Sequence, residues 1–483
     1  MFLPRSCGPV HDRPIADVRP GRPRARSRSW HERRAVLKDP RPIKDTPKRG
    51  SIVDDIVSHL PLLLKPDPAR VVIRPFSPAD DDPPFATAGC TRAQRIADRV
   101  LALDPAAVAA ELHGIVASLS VHHRDVERVL LRRFHDINGL SIAAASVSDD
   151  QAHLIGGYFS EEYAFEAAAL FNPSIVPAPD QTGVPEGALR FVLSLRGVGE
   201  GHISSITFRT GIFAADGSVT LDTPSEQAVS PRIKMIPGGA PDDPGVRLFC
   251  EGSRDLSETV IFPVTAHQRH GIEDLRLVRF VDDDGAVTYL GTYTAFGGDT
   301  VREEMLRTTD FKTIDLTALG GNAARAKGMA LFPRKIAGRY AMLGRQDHEN
   351  IWLLTSTDLY NWDGGAKLLT PRWPWEFIQM GNCGSPTEIE EGWLVITHGV
   401  GAVRTYCIGA CLLDKADPSK VLARVKVPLI RPSGEERYGY VPNVVYSCGA
   451  LVHGRMLLLP YAVADNVTTF ATIELDALLA AMA

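Results

Sequence analysis

An acid, two cations and an imidazole stand at matched places along this chain. Asp274 lies in HGIEDLR (270–276), directly ahead of an apolar run. An acid beside a guanidinium is ordinarily held ionised, whereas burial lifts its pKa toward general-acid duty. The sequence leaves both readings open, alongside a purely structural Asp–Arg pair. Lys327, Arg345 and His398 form a basic set. Three such groups at one place make an anion site, with arginine suited to bidentate oxyanion binding. Joined to an acid, they suggest attack by a bound anion such as phosphate. No GxxxxGK[ST] loop is present, so a nucleotide phosphate is not favoured. Cys383 and His398 share the stretch 381–400, GNCGSPTEIEEGWLVITHGV, and at first suggest a nucleophile beside a base. The aromatic cluster 373–377, WPWEF, suits either a sugar face or a packed core.

The elements that must position these residues form a repeat. After Phe171 the pattern changes to short β-rich runs separated by glycine turns. The turn glycines Gly285, Gly338, Gly392 and Gly454 are 53, 54 and 62 residues apart, each between two apolar strands. Eleven residues before them stand Asp274, Lys327, Gly381 and Asn443; six to eight after them come Tyr293, Arg345, His398 and Tyr461. A looser copy runs from Asn172 through 191–195 to Arg196. Strand–turn–strand units of this length predict an all-β fold, a five-bladed β-propeller, in preference to a two-sheet sandwich. Radial packing then brings equivalent strand ends to one channel. In that setting Cys383 becomes a small residue in a tight strand entry, and His398 an anion ligand contributed by one blade.

Ahead of the repeat the pattern is helical from Thr91. Asp104-Pro105 reads as an N-cap and first-turn proline for Val108, Leu112, Ile115, Val116 and Leu119, with further amphipathic runs over 125–137 and near 161–170. His122, His123 and His135 in this region read as solvated or capping side chains rather than ligands. Residues 51–90 read as an extended lead-in. The expected organisation is a disordered basic tail (1–50), an extended and mainly α-helical module (51–165) and the propeller (166–483). The tail carries 14 Lys/Arg against 5 Asp/Glu, although the whole chain of 483 residues is at −5. A spacer or over-extended start is favoured for it over a nucleic-acid or membrane arm. Arg33-Arg34 resembles a twin-arginine signal, but no apolar stretch follows. There is no apolar run of about 18 residues. Seven cysteines without paired spacing argue for reduced thiols rather than disulfides or zinc. A cytoplasmic protein with no metal, no cofactor, no membrane and no nucleic-acid partner is expected, with a homo-oligomer left open.

Six stretches carry a resemblance to a known family: FNPSIV (171–176), GIEDLR (271–276), KGMALFPRKIAGRYAMLGR (327–345), residues 381–400, IGACLLDKADPSKVLAR (408–424) and VPNVVYSCGALVHGRMLLLPYAVAD (441–465). From about 172 to 479 the chain resembles glycoside hydrolase family 130, the β-mannoside phosphorylases and β-mannosidases, which fold as five-bladed propellers. The resemblance implies that Asp274 is the general acid, acting through the 3-hydroxyl of bound mannose; Leu275 replaces the proline of the family's Glu-Asp-Pro-Arg motif. It implies phosphate binding by Lys327, Arg345 and His398, and mannose binding by Asn172, Arg196, Glu388 and Asp465. The expected activity is inverting phosphorolysis of a β-1,2- or β-1,4-mannoside to α-D-mannose 1-phosphate, with inorganic phosphate as co-substrate. An inverting β-mannosidase using Glu388, Glu390 or Glu391 as base, or a non-catalytic sugar-binding propeller, are the alternatives.

Overall fold

A computed structural model describes residues 55–79, 91–138, 140–142, 147–240, 243–298, 300–434 and 439–482. The expected basic tail lies outside them. Five antiparallel sheets follow one another along the chain. The first contains Ala169–Pro177, Leu189–Val198, Ser204–Phe213 and Val219–Leu221. The second contains Gly271–Val281, Val287–Phe296, Val301–Thr308 and Thr313–Ala318, extended at its outer edge by the hairpin Arg232–Ala240/Asp243–Phe249. Only the parallel pair Gly271–Ser204 joins these two sheets through their named strands. The third runs from Ala330–Leu331 to Ala366–Leu369. The fourth is built around Gly392–Gly401 and Thr405–Leu413. The fifth is built around Met456–Val463 and Val467–Glu474.

Period-two alternation gives each strand two buried faces, and each face packs on a different neighbour. Trp393 and Val395 pack with Phe332 and Leu343 of the third sheet. Leu394 and Ile396, on the opposite face, pack with Leu457 and Leu459 of the fifth. Phe208 meets Leu277 and Tyr289 between sheets one and two, and Phe280 meets Met342 and Trp362 between two and three. Phe191 and Leu193 meet Leu458 and Phe470 between one and five. Five inter-sheet cores therefore close a ring, and the molecule is a five-bladed β-propeller.

The turn glycines Gly285, Gly338 and Gly454 all take positive φ, as does Gly392, and each joins the innermost strand of a blade to the next. The ring's fifth blade takes its outer strand from elsewhere. Val57–Leu64, within the stretch expected to be a lead-in, pairs antiparallel with Val467–Glu474 in the register Val57–Ile473. An edge strand with half its residues exposed, VSHLPLLL, looks like linker until its partner more than 400 residues away is in place.

The helical module comprises Arg92–Leu101, Pro105–Leu119, Val126–Asp136 and Asp149–Tyr158. Asp104 caps the second by accepting from Ala107 N–H at 2.9 Å. The run near 161–170 is not helical. Its helix lies earlier, opened by a capping box at Ser148 and Gln151, and Ser160–Ala164 instead pairs with Val71–Pro75. Local capping outweighed the apolar pattern downstream. Glu166 ties this region to blade one: it is fully buried and accepts from Arg70 at 3.0 Å and from Arg209 at 2.8 and 2.9 Å. A short helix, Leu475–Met482, follows the last strand.

Candidate active site

The site is built at the end of the channel opposite the glycine turns, where innermost strands begin and where second and third strands of each blade are joined. Two innermost strands are bulged there. The pairing of Ala169–Pro177 slips between Phe171 and Ser174, and that of Gly271–Val281 between Glu273 and Arg276. Asn172 (φ 49°) and Asp274 (φ 55°) occupy these bulges in the left-handed region. Bulges re-aim side chains out of the sheet alternation. Here they turn both residues toward each other, and Asn172 Nδ2 donates to Asp274 Oδ1 at 2.6 Å.

Arg196, on the second strand of blade one, reaches the same carboxylate at 3.4 Å and Glu273 Oε1 at 2.8 Å. Glu273 Oε2 in turn accepts from Lys327 Nζ at 3.0 Å. Glu273 thus bridges the Asn172–Asp274 end and the Lys327 end. Burial works to raise the Asp274 pKa, but Arg196, Arg276, the Asn172 hydrogen bond and Lys327 together hold it below the usual carboxylate value. The residue keeps 23% of its side chain open to the channel mouth. Asp465, in the blade-five turn with φ 50°, behaves oppositely. Burial and the nearby Asp274 push it up to about 6, against Arg196 and Arg404. Two carboxyls in one pocket are driven apart, a pattern that separates proton-holding from charge-holding roles.

The basic residues gather around Gly381 and Gly328. A Cβ on Gly381 would lie 2.5 Å from His398 Cε1 and 2.8 Å from Arg345 Cδ, so both side chains lie directly against that backbone. Gly328 (φ +88°) has Arg276 Nη2 and Arg345 Nε each 3.5 Å from the place a Cβ would take. His398 is fully enclosed, stacked on Tyr406 and edge-on to Tyr446. Burial, then Arg345 and Arg276, lower its pKa well below the ordinary imidazole value. The expected triad of cations is therefore two cations and a neutral imidazole. Cys383, 3.8 Å from His398 Nδ1, is pushed up to about 12 by burial, which suits a packed thiol rather than a nucleophile.

Asn172, Arg196, Asp274 and Asp465 come together, with Lys327 joined to them through Glu273, while Arg345 and His398 meet at Gly381; Glu388 does not join them. It lies seven residues beyond Gly381 and pairs with Trp393, close to the Gly392 turn. That displacement is roughly 20 Å of extended chain. Arg334 grips it through both carboxylate oxygens at 2.8 and 3.0 Å, and Lys415 approaches at 3.4 Å. With Pro177, Val281, Ser385 and Leu451 it lines a 350 Å³ cavity at the turn end of the channel. A carboxylate inside a motif stretch suggests a site residue, but its ion pairs with Arg334 and Lys415 lie at the opposite end. Trp375 packs over Gly399 and Gly409 and donates to Lys426 O at 3.1 Å, with Trp373 stacked outside it, so this pair braces blade four.

Glu303 was not singled out from sequence, and the arginine and second carboxylate of HGIEDLR reach further than an Asp–Arg pair suggests. Arg276, buried behind Asp274, donates to Tyr446 Oη at 2.6 Å and Asn382 O at 2.7 Å. Glu273 and the buried Glu303 complete the charge set. Among the described residues, Asn172 Oδ1, Arg196 Nε, Arg345 Nε and Asn382 Oδ1 are buried without a hydrogen-bond partner. Buried polar atoms are ordinarily paired, so such a cluster fits a ligand that completes them. No group of His, Cys, Asp and Glu suited to a metal occurs among the described residues.

The chain is similar to proteins of known activity. A family described as beta-1,4-mannooligosaccharide phosphorylase matches residues 251–483. The chain is 37% identical over 225 residues to a 1,2-beta-oligomannan phosphorylase of Thermoanaerobacter sp. (strain X514), covering 46% of this chain and 74% of that protein. It is 34% identical over 216 residues to a beta-1,2-mannobiose phosphorylase of Listeria innocua, covering 43% and 58% respectively. A solved structure of beta-1,2-mannobiose phosphorylase from Listeria innocua with beta-1,2-mannobiose overlaps 65% of this chain and 92% of that one, with a TM-score of 0.48 and 22% identity. The chain belongs to glycoside hydrolase family 130, the family of the β-mannoside phosphorylases.

Proposed function

We propose that the protein is an inverting β-mannoside phosphorylase that transfers a mannosyl group from a β-mannoside to inorganic phosphate, releasing α-D-mannose 1-phosphate. What supports this reading most is Lys327, bridged to the Asp274 pocket by Glu273, with Arg345 beside the neighbouring Gly328 and against His398 at Gly381. Phosphate would sit against the two cations and the imidazole N–H, displacing part of Lys327's pairing with Glu273. One of its oxygens attacks the anomeric carbon as the glycosidic C–O bond breaks on the far side. Asp274 supplies the proton that the departing oxygen takes, through the sugar's 3-hydroxyl. Both of its hydrogen bonds to Asn172 and Arg196 fall on Oδ1, which leaves Oδ2 for the proton. The free site holds Asp274 ionised, and a bound phosphate dianion opposes that by offsetting Arg196, Arg276 and Lys327. A monoprotonated phosphate brings a proton into the site, which returns the acid to its starting state after turnover. Positioning and charge stabilisation supply most of the rate.

Asn172, Arg196 and Asp465 are assigned to the mannosyl unit, with Asp465 as a hydrogen-bond partner whose protonation is poised near pH 6. The two curated relatives described above act by name on β-1,2 linkages, which makes β-1,2-mannobiose the first substrate to test, with β-1,4-mannobiose second. Incubation of each with and without phosphate decides between the readings. The expected product is α-D-mannose 1-phosphate, formed only with phosphate. Phosphate-independent release of free mannose would sink the proposal. Asp274→Asn should lower turnover by roughly 10³-fold, within the range of general-acid contributions; unchanged binding of sugar together with an unaltered rate would argue for a non-catalytic role.

A further inference from the structure

Glu303 stands in the middle of Val301–Thr308, the third strand of blade two, and is 1% exposed. A carboxyl that deep in a strand is costly unless its oxygens are engaged. Its Oε1 accepts from the backbone N–H of Gly328 at 2.5 Å and from Thr294 Oγ1 at 3.4 Å. Its Oε2 has no hydrogen-bond partner among the described residues. The Gly328 backbone that it holds follows Lys327, and the place where a Gly328 Cβ would stand lies 3.5 Å from both Arg276 Nη2 and Arg345 Nε. Thr292 Oγ1 donates to the carbonyl of the next residue, Met329, so blade two holds this turn of blade three at two consecutive residues.

The geometry points to Glu303 as a positioning residue for the anion end of the site. By holding Gly328 N–H it fixes the left-handed turn that carries Lys327 toward Glu273 and leaves the space beside Gly328 to Arg276 and Arg345. The inference rests on the phosphorolytic reading of the site. A carboxylate makes a stronger acceptor than an amide or hydroxyl, which suits a turn that must resist the repulsion of three surrounding cations. Burial pushes the Glu303 carboxyl up to about 7, against the pull of Arg276, the N–H groups of Gly328 and Met329 and the Thr294 hydroxyl. The turn's anchor therefore changes charge close to neutral pH. The charged groups around it are Arg276 from its own blade and Lys327 and Arg345 from blade three, with Asp274 beyond Arg276.

The test uses the full-length enzyme and two variants, Glu303→Ala and Glu303→Gln. Loss of a charge-assisted hydrogen bond should raise the phosphate KM of the alanine variant about tenfold or more. Its mannobiose KM should move less than about twofold. The glutamine variant keeps an acceptor for Gly328 N–H and should retain most phosphate affinity. Sulfate, whose charge is fixed between pH 6 and 8, separates protein titration from that of phosphate. Its affinity for the unaltered enzyme should fall as pH rises through about 7, because ionised Glu303 adds a negative charge behind the site, and in Glu303→Gln this slope should shrink to the part that Asp465 adds near pH 6. Equal rises in both KM values, or an unaltered sulfate slope in the glutamine variant, overturn the inference while leaving the phosphorylase reading in place. If calorimetry shows neither phosphate nor sulfate binding to the unaltered enzyme, both fall together. The glutamine variant also keeps the test decisive should the alanine variant fail to fold.

Discussion

Asn172 and Asp274 occupy left-handed β-bulges on the innermost strands of adjacent blades, and a 2.6 Å hydrogen bond joins them across the blade boundary. Strain at both backbones is retained where the acid must be aimed away from the sheet. The acid's position is therefore a property of two blades at once, and Arg196 and Lys327 extend the same network to a third through Glu273.

Gly381 is the tightest point of the anion end. Gly381→Ala would drive a methyl into His398 and Arg345, whose nearest atoms lie at 2.5 and 2.8 Å from its place. A misplacement of about 1 Å at a reacting centre can cost roughly 10²-fold. Steady-state kinetics should show a loss of that order in kcat/KM for phosphate, with the folded secondary structure unchanged by circular dichroism.

Asp465 should cost the protein stability at neutral pH. Its folded-state pKa is raised to about 6, so between the ordinary carboxylate value and 6 the folded state holds a proton that the unfolded chain has lost. Stability attributable to this group is then greatest at low pH and declines as pH rises through that window. Asp465→Asn should therefore raise Tm relative to the unaltered protein at pH 8 but not at pH 4, while weakening mannoside binding. Thermal unfolding at the two pH values, with KM measured in parallel, checks both halves.

Glu388 offers the opposite case. Held by Arg334 and Lys415 at the turn end of the channel, it should matter little to catalysis. Glu388→Gln should leave the KM for mannobiose and phosphate within about twofold, the span expected away from the reacting groups. A loss of sugar binding comparable to that of an Arg196 variant would place the substrate deeper in the channel than the bulged strands suggest.

Glu166 should be structural. Its replacement by alanine strands Arg70 and Arg209 as buried, unpaired charges, and breaking such a set costs about 3–5 kcal/mol. Denaturant unfolding should show the loss, most directly as weakened attachment of the 71–75 and 160–164 strands detected by hydrogen exchange.

The propeller was legible because its glycine turns recur at near-constant spacing and each marks the same junction in a blade. The same spacing picked out Asp274, Lys327, Arg345 and His398, since equal offsets from equivalent turns mean equal heights in the channel. It also selected Tyr293, which is buried against Glu304 and takes no part in the site. What the pattern could not carry was direction through bulges and charge in context. Glu303 looks like a surface residue in sequence, and the signal that distinguishes it is an acidic pair inside an otherwise β-forming run, VREEMLRT. The neutrality of His398 depends on enclosure by two tyrosines and two arginines from other strands. Helix boundaries before residue 160 were set by the Ser148 cap, a local signal that the apolar count overlooked.

The strand Val57–Leu64 gives the ring a temporal order. Made early in synthesis, it has no sheet to join until Val467–Glu474 exists, so its pairing is among the longest-range contacts the chain forms. Closing so large a loop is slow relative to local hairpins, although its entropic cost grows only gently with length. Blades one to four can pack on their neighbours as they appear, while blade five stays open-edged until Val57–Leu64 returns to it. Blade five is therefore completed only by a chain that has already made Val467–Glu474, the strand that Val57–Leu64 has to find.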